Sequence, residues 1–352
     1  MTAGHEHDAA EKPYVIISGH GRSGSNRVLD AFDCHPDTLC RNEPNEAGGD
    51  NFKELRVGFF PEGADPAFLN QWRGVIARAA RETSSRDRIG ARKKSYLYNL
   101  TRRMIGENIF ARRRLRETLG LVSPSLRKDA WPLPAYYASP ARLSQATPVL
   151  KLLLCQGWLL DAFDAEPGMR IVHNLRSPQG FLRSWRRRWA DHIGAEQVFR
   201  DNLVDIDRIL EHFGQATGRF GDFSEGNLFE TELWRWRFVN EPLYVRFKDH
   251  PRYMPVTYES FDARPAETTE RLYAFAGLAL DERTRALAAS LENKLFGKMT
   301  PQSSPDDSHI DEAVNTVLQD SPLAAFWPEI RMGAQTAAAH SELEARDRSA
   351  AS

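Results

Sequence analysis

The feature that most constrains the fold is a glycine-rich loop between an apolar strand and an amphipathic helix. The run Tyr14–Ser18 (YVIIS) is almost continuously apolar, which is typical of a strand covered on both faces. The loop that follows, GHGRSGSN, contains Gly19, Gly21 and Gly24, which allow backbone N–H groups to approach an anion closely. The next helix adds N–H donors and a favourable dipole. The sequence therefore predicts a phosphate cradle at the end of a buried strand.

This loop differs from the phosphate loop of nucleoside triphosphatases. The pattern GxxxxGK[ST] would place a lysine at position 25, where the chain has Ser25. Its positive charge comes earlier, from Arg22. A glycine-rich turn that binds nothing is the alternative, which the flanking strand and helix disfavour. The residues predicted to contact an anionic ligand are Gly21, Arg22, Ser23, Gly24, Ser25 and Asn26.

Alternating strands and helices predict the fold class. A helix over Ser25–Asp33 follows the first strand, and a second helix begins at Ser177, a plausible N-cap that precedes a proline. This alternation favours an α/β fold with a central parallel sheet of about five strands flanked by helices. The further predicted strands are Thr38–Arg41, Val149–Leu154, Arg170–Leu175 and Tyr253–Tyr258.

The domain prediction is a single domain over residues 13–332. Residues 45–147 are too many for a loop in a compact domain, so we predict a largely helical insertion there. Residues 1–12 and 333–352 lack apolar periodicity, and we expect disordered tails. Helix-like pieces of the insertion lie around 66–82, 92–104 and 108–119.

The charge is distributed unevenly along the chain. The net charge is -1, yet residues 73–128 contain sixteen Lys or Arg and four Asp or Glu. Such a field attracts an anionic partner, such as an acidic substrate, a lipid surface or nucleic acid. We expect no nucleic-acid binding, because no basic platform interleaved with aromatic residues is present. Peripheral contact with a membrane surface is compatible with this segment.

Cysteine use and hydropathy favour a cytoplasmic location, with contact at the inner membrane surface as a compatible extension. Cys34, Cys40 and Cys155 cannot all pair, which suits a reducing compartment. The polar N-terminus differs from a signal peptide, and no run approaches the length of an apolar span. We predict no metal site, since His20 and His173 lack partners at metal-ligand spacing.

The run RSGSNRVLDAFDCHPDTLCRNEP, from Arg22 to Pro44, resembles the 5′-phosphosulfate loop of sulfotransferases that use 3′-phosphoadenosine 5′-phosphosulfate (PAPS). It is most similar to the branch that contains the protein-tyrosine sulfotransferases and many bacterial relatives. In that branch an Arg-Ser-Gly-[Ser/Thr] loop leads through a helix into His-Pro. The resemblance implies a P-loop-containing sulfotransferase-like fold, with Glu43 in the place of the catalytic base. An exposed, capped carboxylate is the alternative for Glu43.

A second motif, LRSPQGFLRS, ends at Ser184. It resembles the 3′-phosphate motif of the family, an Arg and a Ser eight residues apart, and so implies that role for Arg176 and Ser184. Arg188 lies four residues after Ser184, on the same helix face, and the tyrosine-sulfotransferase branch also uses an arginine there. For Arg186 and Arg187 we favour a solvated, charged face.

Two further resemblances are less specific. Lys151 lies in the third strand, where the family has a lysine that meets the sulfuryl group and the leaving oxygen, although the predicted bounds place it nearer mid-strand. Tyr258 begins the run YESF, which is similar to the Tyr-Glu-Asp-Leu of the family, where the tyrosine borders the nucleotide. An ordinary tyrosine at a strand end is the alternative. The loop that covers the nucleotide is placed at Lys294–Ser304.

Fold topology brings the predicted site residues together. In open α/β sheets, ligands bind beyond the carboxyl ends of the strands. Arg22, Glu43, Arg176 and Tyr258 each follow a different predicted strand, so we expect them to converge on one sheet edge.

The chemistry requires positioned charge and a base. Fixed cations stabilise the bridging oxygen of the donor as the sulfur–oxygen bond loosens, a role for Arg22 and Lys151. Glu43 would accept the proton of the acceptor hydroxyl. The predicted reaction moves a sulfuryl group from PAPS to a hydroxyl of a carbohydrate, a lipid or a small metabolite. It leaves 3′-phosphoadenosine 5′-phosphate and requires no metal.

Two other function classes stay open from the sequence. A kinase or nucleotidase could use the same phosphate cradle, although position 25 lacks the lysine and the Arg176/Ser184 motif argues against it. A non-catalytic protein could hold anionic lipid through residues 73–128. The acceptor could itself be anionic or lipid-linked, so docking and catalysis are compatible. A peptide tyrosine is a less expected acceptor.

Overall fold

The computed structural model describes residues 12–45, 52–81, 87–88, 94–97, 138–282, 284–286, 289 and 308–328. The chain divides into two compact units. Unit 1 comprises residues 1–18, 25–172 and 264–296, and unit 2 comprises residues 19–24, 173–263 and 297–352. The loop at Lys294–Ser304, the tail 333–352, nearly all of the tail 1–12 and about half of the predicted insertion lie outside the described residues. Within the insertion, a helix at Pro66–Arg81 confirms the helical piece predicted around 66–82. Residues 94–97 form a turn and a β-bridge, so the prediction of a helix at 92–104 is wrong there. The single-domain arrangement stays a prediction.

Five parallel strands form the central sheet, which confirms the predicted α/β class. The strand order is β3-β2-β4-β1-β5-β6, in which the two-residue strand β3 pairs antiparallel with β2. Continuously buried strands such as β1 belong in a sheet that is covered on both faces. The strands are β1 Tyr14–Ser18, β2 Thr38–Asn42, β3 Asp87–Arg88, β4 Thr147–Lys151, β5 Met169–Leu175 and β6 Tyr253–Thr257.

The bounds of β4 correct the sequence prediction. The apolar run predicted a strand over Val149–Leu154, with Lys151 near its middle, whereas β4 ends at Lys151. Lys151 pairs in register with Ile17 of β1 and with Asn42 of β2. Leu154 adopts a φ of 55°, a left-handed conformation that cannot continue a strand. Lys151 therefore lies at the carboxyl end of its strand, where ligands bind in this class of fold.

Helices alternate with the strands along the chain, and local sequence signals set where the helices begin and end. Ser177 caps α5 as predicted, because its side-chain oxygen accepts a hydrogen bond from the Gly180 amide and a proline follows it. The helices are α1 Ser25–Cys34, α2 Pro66–Arg81, α3 Pro140–Leu143, α4 Gln156–Ala162, α5 Pro178–Arg188, α6 Ala190–Ile193, α7 Ala195–His212, α8 Glu225–Phe247, α9 Tyr258–Ala263, α10 Pro265–Ala276 and α11 Ser308–Leu318. Short 3-10 turns cover Phe163–Ala165 and Pro322–Phe326.

Helix packing differs between the units. In unit 1, the short helix α1 is amphipathic and buries Val28, Leu29 and Phe32, as its apolar spacing predicts. In unit 2, the 23-residue helix α8 is buried around most of its circumference and packs against α7 and α11. Polar side chains such as Glu232 are therefore buried on α8. In the part of the chain that the structure describes, no helix has the length and apolar character needed to cross a membrane.

Candidate active site

The predicted site residues form two clusters, one in each unit. The loop cluster comprises Arg22, Arg176, Ser184 and Tyr258, all in unit 2. The lysine cluster comprises Asn26, Asn42, Glu43 and Lys151, all in unit 1. Each cluster is defined by direct contacts among its members, so each has a geometry of its own.

Two glycines give the phosphate loop its shape. Gly19 has a φ of 142°, and a Cβ there would lie 2.4 Å from the backbone oxygen of Asn174. Gly24 has a φ of 88°, and a Cβ there would lie 2.4 Å from Cδ2 of Tyr258. Asn174, near the end of β5, donates a hydrogen bond from Nδ2 to the carbonyl of Ser23 at 2.7 Å. The loop conformation therefore depends on glycine at both positions and on a buried amide beside it.

Arg22 adopts a backbone conformation that usually belongs to glycine. Its φ is 68°, in the left-handed region that costs a non-glycine residue about 1–2 kcal/mol. Its side chain is exposed, and its Nε donates to the hydroxyl of Ser184 at 3.3 Å. Strained residues of this kind concentrate at functional sites, where the surrounding structure holds them. Arg22 of the glycine-rich loop therefore directly contacts Ser184, the last residue of the LRSPQGFLRS motif.

Arg176 completes the loop cluster. Its Nη1 donates to the carbonyl of Arg22 at 3.1 Å, and its guanidinium lies 4.4 Å from the ring centroid of Tyr258. Its Nε is buried and has no hydrogen-bond acceptor among the described residues. Arg176 and Ser184 therefore each contact Arg22 of the loop within unit 2, and their role in phosphate binding stays a prediction.

The loop cluster is strongly cationic. Burial lowers the pKa of Arg22, and the nearby Arg188 and Arg187 lower it further. Burial likewise lowers the pKa of Arg176, while Tyr258 and Glu259 oppose this effect. Among the described residues, neither Arg22 nor Arg176 forms an ion pair with a carboxylate, although Glu259 is near enough to Arg176 to raise its pKa. The field at this cluster therefore favours an anion.

The arginines at the end of α5 differ from one another. Arg186 does not form the solvated face that we predicted, because its Nη2 contacts Glu225 Oε1 at 3.0 Å and its guanidinium lies over Phe229. Arg187 is exposed, as predicted. Arg188 is also exposed, and its guanidinium lies 5.0 Å from the ring centroid of Trp189. It is near enough to Arg22 to lower the pKa of that residue.

The lysine cluster is a buried ammonium surrounded by oxygens. Lys151 is 2% exposed, and its Nζ donates to Asn26 Oδ1 at 2.6 Å and to Asn42 Oδ1 at 3.0 Å. It also forms an ion pair with the carboxylate of Glu43. An ammonium group has three N–H donors, so these three acceptors account for all of them.

Glu43 is not the exposed, capped carboxylate that the alternative predicts. Its side chain is 17% exposed and its amide donates to the carbonyl of Lys151 at 2.9 Å. Its φ of 49° turns the chain out of β2. Consecutive side chains on a regular strand point to opposite faces, so this turn allows both Asn42 and Glu43 to contact Lys151. Sequence reasoning missed Asn42, and the signal that could have found it is an amide directly before the predicted base.

The other potential ligands have structural partners. His173 contacts Tyr253 and Asn240 through its two ring nitrogens, and burial lowers its pKa to about 4. Cys34, Cys40 and Cys155 form no disulfide bond in the described part of the chain. Among the residues that the structure describes, no group of three or more His, Cys, Asp or Glu side chains could hold a metal ion.

Among known proteins, similarity to this chain was found only in solved structures. No family model matches the chain, and no curated protein matches it. A sulfotransferase from Alicyclobacillus acidocaldarius is 14% identical, with 87% of this chain and 91% of that chain covered and a TM-score of 0.38. Sulfotransferase STF9 from Mycobacterium avium is 14% identical, with coverages of 84% and 69% and a TM-score of 0.34. The sulfotransferase domain from the curacin biosynthetic pathway is 13% identical, with coverages of 88% and 99% and a TM-score of 0.34. Likeness at this level does not assign a function.

Proposed function

We propose that the chain is a sulfotransferase that moves a sulfuryl group from PAPS to an acceptor hydroxyl. The observation that carries the proposal is the loop cluster. The guanidinium of Arg22 donates to the hydroxyl of Ser184, and the guanidinium of Arg176 donates to the backbone carbonyl of Arg22. Neither guanidinium forms an ion pair with a carboxylate among the described residues. A pair of neighbouring arginines favours an anion, and the fork of a guanidinium fits phosphate oxygens.

The loop cluster would hold the nucleotide part of the donor. Arg176 and Ser184 would bind the 3′-phosphate, with Arg188 as a further cation from the same helix. Tyr258 would border the nucleotide while it holds the guanidinium of Arg176 from one side. The residues proposed to bind the 5′-phosphosulfate are Gly21, Arg22, Ser23, Gly24, Ser25 and Asn26.

The lysine cluster would carry out the transfer. The acceptor oxygen attacks sulfur, a new sulfur–oxygen bond forms and the bond to the bridging oxygen breaks. Glu43 receives the proton of the acceptor hydroxyl. Lys151 and Arg22 stabilise the negative charge that develops on the leaving 3′-phosphoadenosine 5′-phosphate. This reaction needs positioning and fixed charge, and the group that is transferred carries a single negative charge.

The closed state of the lysine cluster implies an exchange of partners. The three N–H donors of Lys151 are occupied by Asn26, Asn42 and Glu43. To contact the donor, Lys151 must release one acceptor. Release of Glu43 is the productive choice, because it frees that carboxylate to accept the proton of the hydroxyl. Donor binding would thus activate the base.

The acceptor class and location follow from sequence features. We infer a hydroxyl of a carbohydrate, a lipid or a small metabolite, including an anionic or lipid-linked acceptor. The basic segment 73–128 would contact the inner membrane surface from the cytoplasm and concentrate such an acceptor. Nucleic acid is not among the proposed partners. Vesicle pelleting at low salt tests this part, since equal recovery with neutral and anionic vesicles would contradict it.

Calorimetry tests the donor class. We expect the protein to bind 3′-phosphoadenosine 5′-phosphate without added metal and to bind ATP–Mg²⁺ more weakly, because the loop lacks the lysine of triphosphatases. Tight binding of ATP–Mg²⁺ alone would instead favour a kinase or a nucleotidase. Measurable binding of neither ligand would contradict both enzyme assignments and leave a non-catalytic, lipid-binding role.

A further inference from the structure

A buried histidine lies within the phosphate loop and contacts no part of the proposed chemistry. His20 is 6% exposed, and its ring packs edge-on against Phe181 with 4.8 Å between centroids. Its Nδ1 lies 3.1 Å from the carbonyl oxygen of Gly21. Because a carbonyl oxygen only accepts hydrogen bonds, Nδ1 must carry a proton. In a neutral ring, Nε2 is then an acceptor.

The other ring nitrogen faces a buried carboxyl group. Nε2 of His20 lies 3.5 Å from Oε1 of Glu232, a residue of α8 whose side chain is 3% exposed. Two acceptors that face each other repel unless a proton lies between them. A proton shared by this pair, either on the carboxyl group or on the ring, removes the repulsion.

The surroundings of the pair place that proton on the carboxyl group. Burial raises the pKa of Glu232 to about 7, although Arg235 and Asn202 favour its ionised form. Burial lowers the pKa of His20 to about 3, and Arg235 lowers it further while Gly21 opposes the effect. Arg235 lies 3.9 Å from Glu232 and 3.6 Å from Asp205 of α7, so its charge is divided between two acids.

The pair is also connected to the anion-binding backbone. The hydroxyl of Ser23 donates to the carbonyl of His20 at 2.7 Å. A displacement of His20 therefore changes the position of Ser23, which lies between Arg22 and Gly24 in the loop. These contacts all lie in unit 2.

We propose that Glu232 is a positioning residue for the phosphate loop, and that the proton it shares with His20 holds the loop in its anion-binding conformation. Loss of that proton sets a carboxylate against the lone pair of Nε2. It also places a negative charge beside His20, a residue of the loop that is proposed to bind phosphate. The proposal rests on the proposed function for the identity of the ligand. It adds a dependence on pH that the loop cluster alone does not have.

The test measures the affinity for 3′-phosphoadenosine 5′-phosphate from about pH 6 to about pH 9 in the wild-type protein, in Glu232→Gln and in Glu232→Leu. The amide of Gln donates an N–H to Nε2 at every pH, whereas Leu donates none. We expect the wild-type affinity to fall relative to Glu232→Gln above about pH 7, by at most about tenfold per pH unit, as one linked proton requires. Titration of the ligand phosphates affects all three proteins equally.

Two results would overturn the proposal. The first is an affinity ratio between wild type and Glu232→Gln that stays constant with pH. The second is equal binding by Glu232→Gln and Glu232→Leu, because the bridging proton would then be unnecessary. We expect Glu232→Leu to bind more weakly than Glu232→Gln at every pH.

Urea unfolding tests the shared proton without a ligand. The pKa of Glu232 is raised in the folded protein from 4.5 to about 7, so its contribution to the free energy of unfolding is fully present below 4.5 and is lost as pH rises through about 7. Relative to Glu232→Gln, the wild-type protein should therefore become less stable across this window. A difference in unfolding free energy between the two proteins that stays constant with pH would contradict the shared proton. A sloped difference without nucleotide binding at any pH would instead overturn the proposed function.

Discussion

Each cluster contains a buried or partly buried cation, but in the described part of the chain only the cation of the lysine cluster is paired with a carboxylate. In the loop cluster, Arg22 and Arg176 have no carboxylate in contact among the described residues, and one buried Nε has no acceptor there. In the lysine cluster, Lys151 has an acceptor for each of its three donors, and one of them is Glu43. The difference indicates a division of labour. Under the proposed function, the first cluster would bind an anion without rearrangement, whereas the second would have to exchange partners when a ligand binds.

The largest expected effect separates chemistry from binding. Glu43→Gln keeps an oxygen for Lys151 but removes the base, so turnover should fall by about 100- to 10,000-fold. Affinity for 3′-phosphoadenosine 5′-phosphate, measured by calorimetry, should stay within a few-fold of wild type. The matched control is Glu54→Gln, a change at an exposed acid paired with Arg78, which should leave both quantities unaltered. Turnover of Glu43→Gln near that of wild type would exclude Glu43 as the base.

A smaller effect belongs to the loop cluster. Arg176→Ala removes a charged donor, so affinity for 3′-phosphoadenosine 5′-phosphate should fall by about 10- to 100-fold, the usual range for a charged hydrogen bond. The affinity for adenosine 5′-monophosphate, which lacks the 3′-phosphate, should fall by a smaller factor. The control is Arg186→Ala, since that arginine is paired with Glu225. Equal losses for both nucleotides would show that Arg176 does not read the 3′-phosphate.

The smallest effect concerns backbone strain in the loop. Arg22→Ala and Arg22→Gly both remove the contact with Ser184, but only glycine adopts a φ of 68° without strain. After the greater chain entropy of glycine is subtracted, Arg22→Gly should be more stable than Arg22→Ala by about 0.5–1 kcal/mol in urea unfolding. The two variants should bind nucleotide equally weakly. Higher stability of Arg22→Ala would contradict the strained conformation.

Most strands could be predicted from the sequence because buried parallel strands are continuously apolar. The prediction failed at the end of β4, where three leucines continue the apolar run beyond Lys151. Residues after a strand can be as buried as residues within it, and Leu152 is fully buried. Apolar character therefore did not locate the end of the strand. The backbone turn at Leu154 carries no signal in composition.

The loop and its arginines could also be predicted, since glycine spacing and motif spacing lie within short segments. Asn42 and Glu232 were not predicted, for a different reason, although Asn42 stands directly before the predicted base. Each acts through a side chain that is far away in sequence, Lys151 for the first and His20 for the second. The local sequence around a buried glutamate in a long helix does not differ from the sequence around an exposed one. Only the fold shows that Glu232 faces an imidazole.

The most direct test of the central claim is transfer of label from ³⁵S-PAPS. The purified protein is incubated with the labelled donor and a cell extract, and labelled products are separated and identified, with Glu43→Gln as the matched control. We predict a labelled hydroxyl-bearing product that forms with the wild-type protein and is lost with the variant. Label that stays on the donor, or a product that forms equally with both proteins, would contradict it.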